Sequence, residues 1–245
     1  VKDTSIAVIT DKGTFQACEA ELKAYQEILG KEGLPPFIVY NEWKKPEDVK
    51  KVIVKLYKKD KLEGDVFVVD IPIPMLRKAQ HMTSAFKMDE KNNDWRDSSV
   101  PSDRFYDDFD LQFDFLKQDS VENNFFYYNL AIKSPQQIRC DIYSARVKAV
   151  DNGEEPHAQI SRYFKKVVAE HQINNKLDQF FSYTGDGSYS NSLTAWTPET
   201  FTIREQMPGV FDKEGRSRFI RYNFSDYPKD DVINMLKRTD LDLSI

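Results

Sequence analysis

The sequence has few of the residues that build disulfide frameworks or zinc sites. Its two cysteines, Cys18 and Cys140, are far apart and show no CxxC spacing. This spacing indicates neither a zinc site nor a disulfide framework. Cys18 falls on the apolar face of a predicted helix, and Cys140 alternates with Ile138 and Ile142. We therefore predict that both thiols pack as small hydrophobic side chains in the core.

Histidine is equally scarce, with only His81, His157 and His171 in the chain. His157 and His171 fall at the two ends of a predicted amphipathic helix, which is typical of surface residues. His81 follows the end of a predicted strand, a better position for chemistry, but neither cysteine shares a motif with it.

Long apolar runs and an excess of positive charge are also missing. No segment approaches the roughly 18 apolar residues that cross a bilayer, and the start at Val1 lacks the apolar core of a signal peptide. The net charge is −5, so the chain as a whole does not attract polyanions. We expect no membrane span and no nucleic-acid partner.

Apolar and aromatic patterns are abundant, with 12 Tyr and 17 Phe in 245 residues. Short β-branched runs predict buried strands, and apolar residues at helical spacing predict amphipathic helices. Two strand-helix-strand units in succession predict a parallel sheet with right-handed crossovers. The predicted order is strand 5–10, helix 14–30, strand 37–40, helix 46–59 and strand 64–70.

The middle of the chain changes character. The two prolines in residues 71–74 predict the end of the third strand, because proline cannot continue a ladder of hydrogen bonds. Residues 88–101 are polar and predict a surface loop. Alternation over 111–115 predicts a half-buried strand, with further strands at 125–133 and 137–147.

The remainder returns to alternating helices and strands, so the fold class is α/β. We predict a three-layer αβα sandwich with a mainly parallel sheet and an antiparallel insertion, divided into residues 1–172 and 173–245. The predicted elements are a helix from Pro156 to about residue 173, a strand ending near 184, moderate helical character over 191–207, a strand at 218–222, a helix at 230–237 and a strand at 241–245.

Two groups of acidic residues are candidate sites. Carboxylates at Asp103, Asp107, Asp108, Asp110 and Asp114 are the hard oxygen ligands that Ca²⁺ prefers, although they lack EF-hand spacing. The first four are the predicted calcium ligands, with the alternative that these acids are solvated or paired with arginine.

Asp186 is the second candidate, since it follows an apolar strand and is flanked by Gly185 and Gly187. Locally this pattern is typical of a turn or a helix cap. It matches neither of the glycine-rich phosphate-binding motifs.

Several segments taken in order resemble the gingipain-type cysteine peptidases, which have a caspase-like fold. The resemblance covers nearly the whole chain. It rests on the opening strand and helix with residues 33–36 (GLPP), and on residues 64–74 (GDVFVVDIPIP), 99–107 (SVPSDRFYD), 141–147 (DIYSARV) and 183–189 (YTGDGSY).

This resemblance implies an N-terminal α/β subdomain followed by the start of a caspase-like catalytic subdomain. There a cysteine thiolate attacks a peptide carbonyl and a histidine handles the proton. Asp186 matches the acid that orients this histidine. The family's other implications are a protein or peptide substrate, no required cofactor, and a secreted or periplasmic location.

The sequence departs from the family at the residues that perform the chemistry. It contains no His-Gly pair, although residues 241–245 look like the strand that leads into one. We therefore expect this chain alone to be inactive, with the missing elements supplied by the remainder of the catalytic subdomain or by a partner chain.

Two alternatives remain. One is a non-catalytic binding module that uses aromatic residues around Phe105, Tyr106 and Phe109 for a protein or glycan partner. The other is a flavodoxin-like cofactor or nucleotide protein, which shares the parallel sheet but lacks a convincing phosphate loop after Ile9 or Val69.

Overall fold

A computed structural model describes residues 5–78, 91, 93–173, 179–184, 218–223, 233–234, 236–237 and 243–244. The chain divides into two compact units, Val1–Ile173 and Asn174–Ile245. In the first unit the elements are β1 (Ser5–Asp11), α1 (Lys12–Ala17), α2 (Glu19–Lys31), β2 (Pro36–Asn41), α3 (Pro46–Asp60), β3 (Leu62–Val68), β4 (Ile73–Arg77), β5 (Ser99–Pro101), α4 (Arg104–Asp107), β6 (Phe113–Gln118), β7 (Phe125–Leu130), β8 (Tyr143–Val147) and α5 (Pro156–Ile173). In the second they are β9 (Gln179–Thr184), β10 (Arg218–Asn223) and β11 (Leu243–Ser244).

The first sheet has four parallel strands in the order β2, β1, β3, β8. Strand β1 lies inside this sheet, and its side chains point alternately to two apolar clusters. Ala7 and Ile9 face one cluster and Val8 faces the other. Burial on both faces explains why β1 is continuously apolar rather than alternating.

Helices cover both faces of this sheet. Val49 and Ile53 of α3 pack with Ala7 and Ile9 on one face. Leu22 of α2 and residues of α5 pack on the other. The predicted α/β sandwich with a mainly parallel sheet is therefore confirmed.

The first helical segment is interrupted, which the apolar spacing did not predict. Residues 14–30 form the end of α1 and most of α2, separated by Cys18, whose backbone leaves the helical region at φ −122° and ψ 22°. The Cys18 side chain is fully buried, and its Sγ lies 3.4 Å from the His157 carbonyl oxygen of α5. Cys18 is thus a core residue, as predicted.

The second sheet, in the order β5, β4, β7, β6, lies where an antiparallel insertion is predicted, but it is mixed rather than purely antiparallel. Its outer strands β5 and β6 run antiparallel to their neighbours, while β4 and β7 are parallel.

The third strand, β3, ends at Val68, before residues 71–74, as predicted, but the same residues also begin a new strand. Strand β4 starts at Ile73 and includes Pro74, after the chain turns at Val69 with φ +62°. Proline donates no hydrogen bond, but the Pro74 carbonyl still accepts one from the Ser102 amide at 2.9 Å. A single proline is therefore tolerated inside this sheet.

Three other predicted boundaries shift. Residues 99–101 form β5 rather than loop, because Ser99 pairs with Arg77 of β4. Strand β6 begins at Phe113, so Leu111 is buried but precedes the strand. Strand β8 begins only at Tyr143, so residues 137–142 are not part of it.

The second unit contains a sheet of three parallel strands in the order β10, β9, β11. Strand β9 lies between two strands that both follow it in sequence. Residues 191–207, predicted to have helical character, lie outside the described residues. Nowhere in the described ranges is there a helix long and apolar enough to cross a membrane.

Candidate functional site

The predicted acidic site lies on and around α4, against strand β8. Asp103 accepts two hydrogen bonds from the Arg146 guanidinium, at 2.7 and 3.2 Å. A third donor of Arg146 reaches the Ile71 carbonyl at 3.0 Å. These bonds join the start of α4 to the first sheet and to the segment that enters the second.

Asp107, the last residue of α4, is fully buried. One of its oxygens accepts a hydrogen bond from the Ser144 hydroxyl at 2.5 Å and also contacts the Arg104 guanidinium. Burial raises the pKa of Asp107 to about 6, although the bond from Ser144 and the charge of Arg104 act in the opposite direction. This carboxylate is therefore held in place by a hydroxyl and a cation.

Asp65 completes the arrangement and was not singled out from the sequence. It lies on β3 directly opposite Ser144 of β8, is 3% exposed, and neither carboxyl oxygen has a hydrogen-bond partner among the residues that the structure describes. Burial, followed by the charges of Asp107 and Asp103, raises its pKa to about 8, against the opposing charges of Arg146 and Arg104. The sequence signal that could have identified Asp65 is an acidic residue inside the otherwise apolar run GDVFVV. We call Asp65, Asp103, Arg104, Asp107, Ser144 and Arg146 the charged cluster.

The remaining acids do not join this cluster. The buried Asp108 accepts hydrogen bonds from the backbone amide of Arg139 at 2.7 Å and from those of Asp110 and Leu111, both at 3.2 Å. It therefore organises a turn. Asp110 and Asp114 are exposed.

The predicted calcium ligands thus have other partners: Asp103 pairs with arginine, Asp107 with arginine and serine, and Asp108 with backbone amides. Across the described ranges, no group of three or more His, Cys, Asp or Glu side chains is arranged to hold a metal ion. Calcium binding stays a prediction.

The aromatic surface proposed around Phe105, Tyr106 and Phe109 is wrong. Phe105 and Tyr106 belong to the main core cluster, and the Tyr106 hydroxyl donates to the Pro72 carbonyl at 2.6 Å. Phe109 is half-buried against Tyr57, with ring centroids 4.9 Å apart. Helix α4 turns its aromatic residues inward because it lies over the inner faces of both sheets.

The other sequence candidates are dispersed. Asp186 and His81 lie outside the described residues. His157 and His171 are partly exposed and lie beside Glu155 and Glu32, at 3.3 and 2.6 Å from Nδ1, as expected of surface histidines.

Cys140 is exposed and contacts Arg104, so its predicted burial is wrong. The reason is that residues 137–142 precede β8 and are not a strand. Burial raises the pKa of the Cys18 thiol, and partial desolvation beside neighbouring side chains raises that of Cys140, although its residue is exposed. A raised thiol pKa is the opposite of what a cysteine nucleophile requires.

Comparisons with known protein families, curated proteins and solved structures find no match to this chain. The chemistry of the charged cluster must therefore be judged from its geometry. Three carboxyl groups face two guanidinium groups; Asp65 and Asp107 are buried, whereas Asp103 and the two arginines are partly exposed, and the Ser144 hydroxyl donates to Asp107. This arrangement favours a structural connection between α4 and β8 over a reaction centre.

Proposed function

We propose that this chain is the N-terminal part of a gingipain-like cysteine endopeptidase, in which Asp186 orients a histidine that these 245 residues do not contain. The observation that carries the proposal is the order of the sheet in the second unit. Strand β9 lies between β10 and β11, and all three are parallel.

This order supports a site at one edge of the sheet. Parallel strands end at a common edge, and α/β sheets place ligands where consecutive connections run to opposite sides of a central strand. Asp186 follows the last residue of β9, Thr184, by two positions. Strand β11 pairs directly with β9, with Leu243 opposite Phe180. A histidine a few residues after β11 is therefore suitably placed in sequence to meet Asp186.

The missing dyad also accords with this proposal. None of the three histidines precedes a glycine. Both cysteines belong to the first unit, and both thiols have raised pKa values. We therefore expect no thiol-dependent peptide cleavage from residues 1–245 alone.

The test compares this chain with a version extended through the coding sequence that follows Ile245. The extended protein should contain a His-Gly pair and a later cysteine, and should cleave peptide substrates in a thiol-dependent manner. Asp186→Asn should then lower kcat/KM by about 100-fold or more, since the orienting acid of a catalytic triad is worth up to roughly 10⁴. Asp114→Asn, an exposed acid of β6, is the matched control and should retain activity.

Two results would overturn the proposal: thiol-dependent cleavage by residues 1–245 alone, or an extended protein without the His-Gly pair and the cysteine. A stop codon directly after Ile245 would favour the non-catalytic binding module instead. Export to the periplasm or cell exterior belongs to the same proposal, and fractionation of the producing cells tests it.

A further inference from the structure

Asp65 occupies an unusual place for an acidic side chain. It lies on the same face of the first sheet as Phe67, towards the main core cluster, because side chains two apart on a strand share a face. Its neighbours across the sheet are Ala7 of β1 and Ser144 of β8. Asp65 is 3% exposed, and within the described part of the chain no donor forms a hydrogen bond to either of its oxygens.

Charged groups approach Asp65 from two elements. Strand β8 contributes Arg146, which reaches over the Phe67 ring at 4.9 Å, and the neutral Ser144. The α4 segment contributes Asp103, Arg104 and Asp107.

The other two elements packed nearby add little charge at Asp65. Strand β1 contributes only the apolar Ala7 opposite Asp65. Helix α3 contributes Lys50, whose ammonium donates to the Asp108 carbonyl at 3.1 Å and interacts with Asp107 and Asp108.

We propose that Asp65 is a protonation switch that sets how tightly the α4 segment is held on strand β8. With Asp65 neutral, the two arginines of the charged cluster balance Asp103 and Asp107. Ionised Asp65 adds a third negative charge at a buried position, where no hydrogen-bond donor among the described residues stabilises it. The bonds from Ser144 and Arg146 to the α4 segment are then the weakest points.

The pKa values define the pH range. Burial raises the pKa of Asp65 to about 8, whereas an aspartate in the unfolded chain titrates near 3.8. Between these values the folded state holds a proton that the unfolded state has released, so Asp65 makes folding less favourable as the pH rises from about 4 to about 8. Within the folded protein, the switch itself operates as the pH passes through about 8. Asp107, with a pKa of about 6, completes its change at lower pH.

The experiment uses the full chain, wild type and Asp65→Asn, with amide hydrogen exchange measured at pH 6.5 and pH 9. The reporting amides are Asp141, bonded to the Asp107 carbonyl at 2.8 Å, and Tyr106, bonded to the Asp103 carbonyl at 2.8 Å. The difference in exchange between the two proteins should be smaller at pH 6.5 than at pH 9, because the effect of Asp65 accumulates up to its pKa. At pH 9, one unit above the pKa, wild type should be less protected by about tenfold. Comparison at one pH removes the intrinsic pH dependence of exchange.

Asp70→Asn, an exposed acid just beyond β3, is the matched control and should behave as wild type at both pH values. A second measurement needs no variant: the carboxyl ¹³C signal of Asp65 should titrate near pH 8. Equal protection of wild type and Asp65→Asn at pH 9, or an Asp65 carboxyl that titrates near pH 4, would overturn the proposal. If Asp65→Asn does not fold, the carboxyl titration of wild type alone decides.

Discussion

Replacement of Arg146 by glutamine should destabilise the first unit by about 3 kcal/mol. Arg146 donates two hydrogen bonds to Asp103 and one to the Ile71 carbonyl. Hydrogen bonds to charged groups contribute roughly 1.5–3 kcal/mol each when buried. The two side chains are 18% and 22% exposed, so the lower end of this range applies.

Other contacts of Arg146 and Asp103 also change the expected loss of stability. The guanidinium of Arg146 lies 4.9 Å from the Phe67 ring centroid, a cation–π contact worth about 0.5–1 kcal/mol. Glutamine can still donate to the Ile71 carbonyl, which returns part of one hydrogen bond. Asp103 without its partner adds charge repulsion to Asp107, while Asp65 is still mostly neutral at pH 7. The sum remains about 3 kcal/mol, at the lower end of the roughly 3–5 kcal/mol lost when one partner of a buried pair is removed.

The assay is urea unfolding at pH 7, followed by tryptophan fluorescence, in a double-mutant cycle with Asp103→Asn. We expect a coupling energy of at least about 1.5 kcal/mol between the two positions, because each side chain is the other's partner. Lys148→Gln, one residue beyond β8 and exposed, should change stability by less than about 0.5 kcal/mol. A loss below about 1 kcal/mol for Arg146→Gln, or strict additivity with Asp103→Asn, would refute the reasoning.

Two further predictions concern the backbone. Lys61 follows the last residue of α3 with φ +52°, a conformation that glycine adopts more easily. Lys61→Gly should therefore stabilise the protein by about 0.5–1 kcal/mol in thermal unfolding, whereas Lys58→Gly inside the helix should destabilise it by about 1 kcal/mol. Equal effects of the two substitutions would contradict this prediction. Gly64→Ala would place a methyl group 2.7 Å from the Tyr143 ring and 3.1 Å from its carbonyl, and should cost about 1–3 kcal/mol in urea unfolding. Tyr143→Ala should recover only part of that loss, since the carbonyl contact remains; full recovery would show that the ring alone is responsible.

Much of the first unit could be predicted from short-range patterns. The β-branched runs of β1 and β3 and the start of α3 at Pro46 are visible in the sequence, because strand and helix periodicities act over a few residues. Pro74 shows where this reasoning stops. Proline locally favours the end of a strand, yet β4 contains Pro74 and pairs with β7, some 50 residues later in the chain. Long-range pairing overrode the local preference.

The candidate sites divide in the same way. The sequence alone singles out Asp186, by its position after an apolar strand, and the acids around α4, by their density. It also shows that no His-Gly pair is present. The tertiary structure decided which charged groups meet. Strand β8 pairs with β3, which places Ser144 opposite Asp65. Ser144 and Arg146 of β8 then bind Asp107 and Asp103 of the α4 segment. Electrostatic contacts and burial depend on strand order, and strand order is set by packing between residues that are far apart in the sequence.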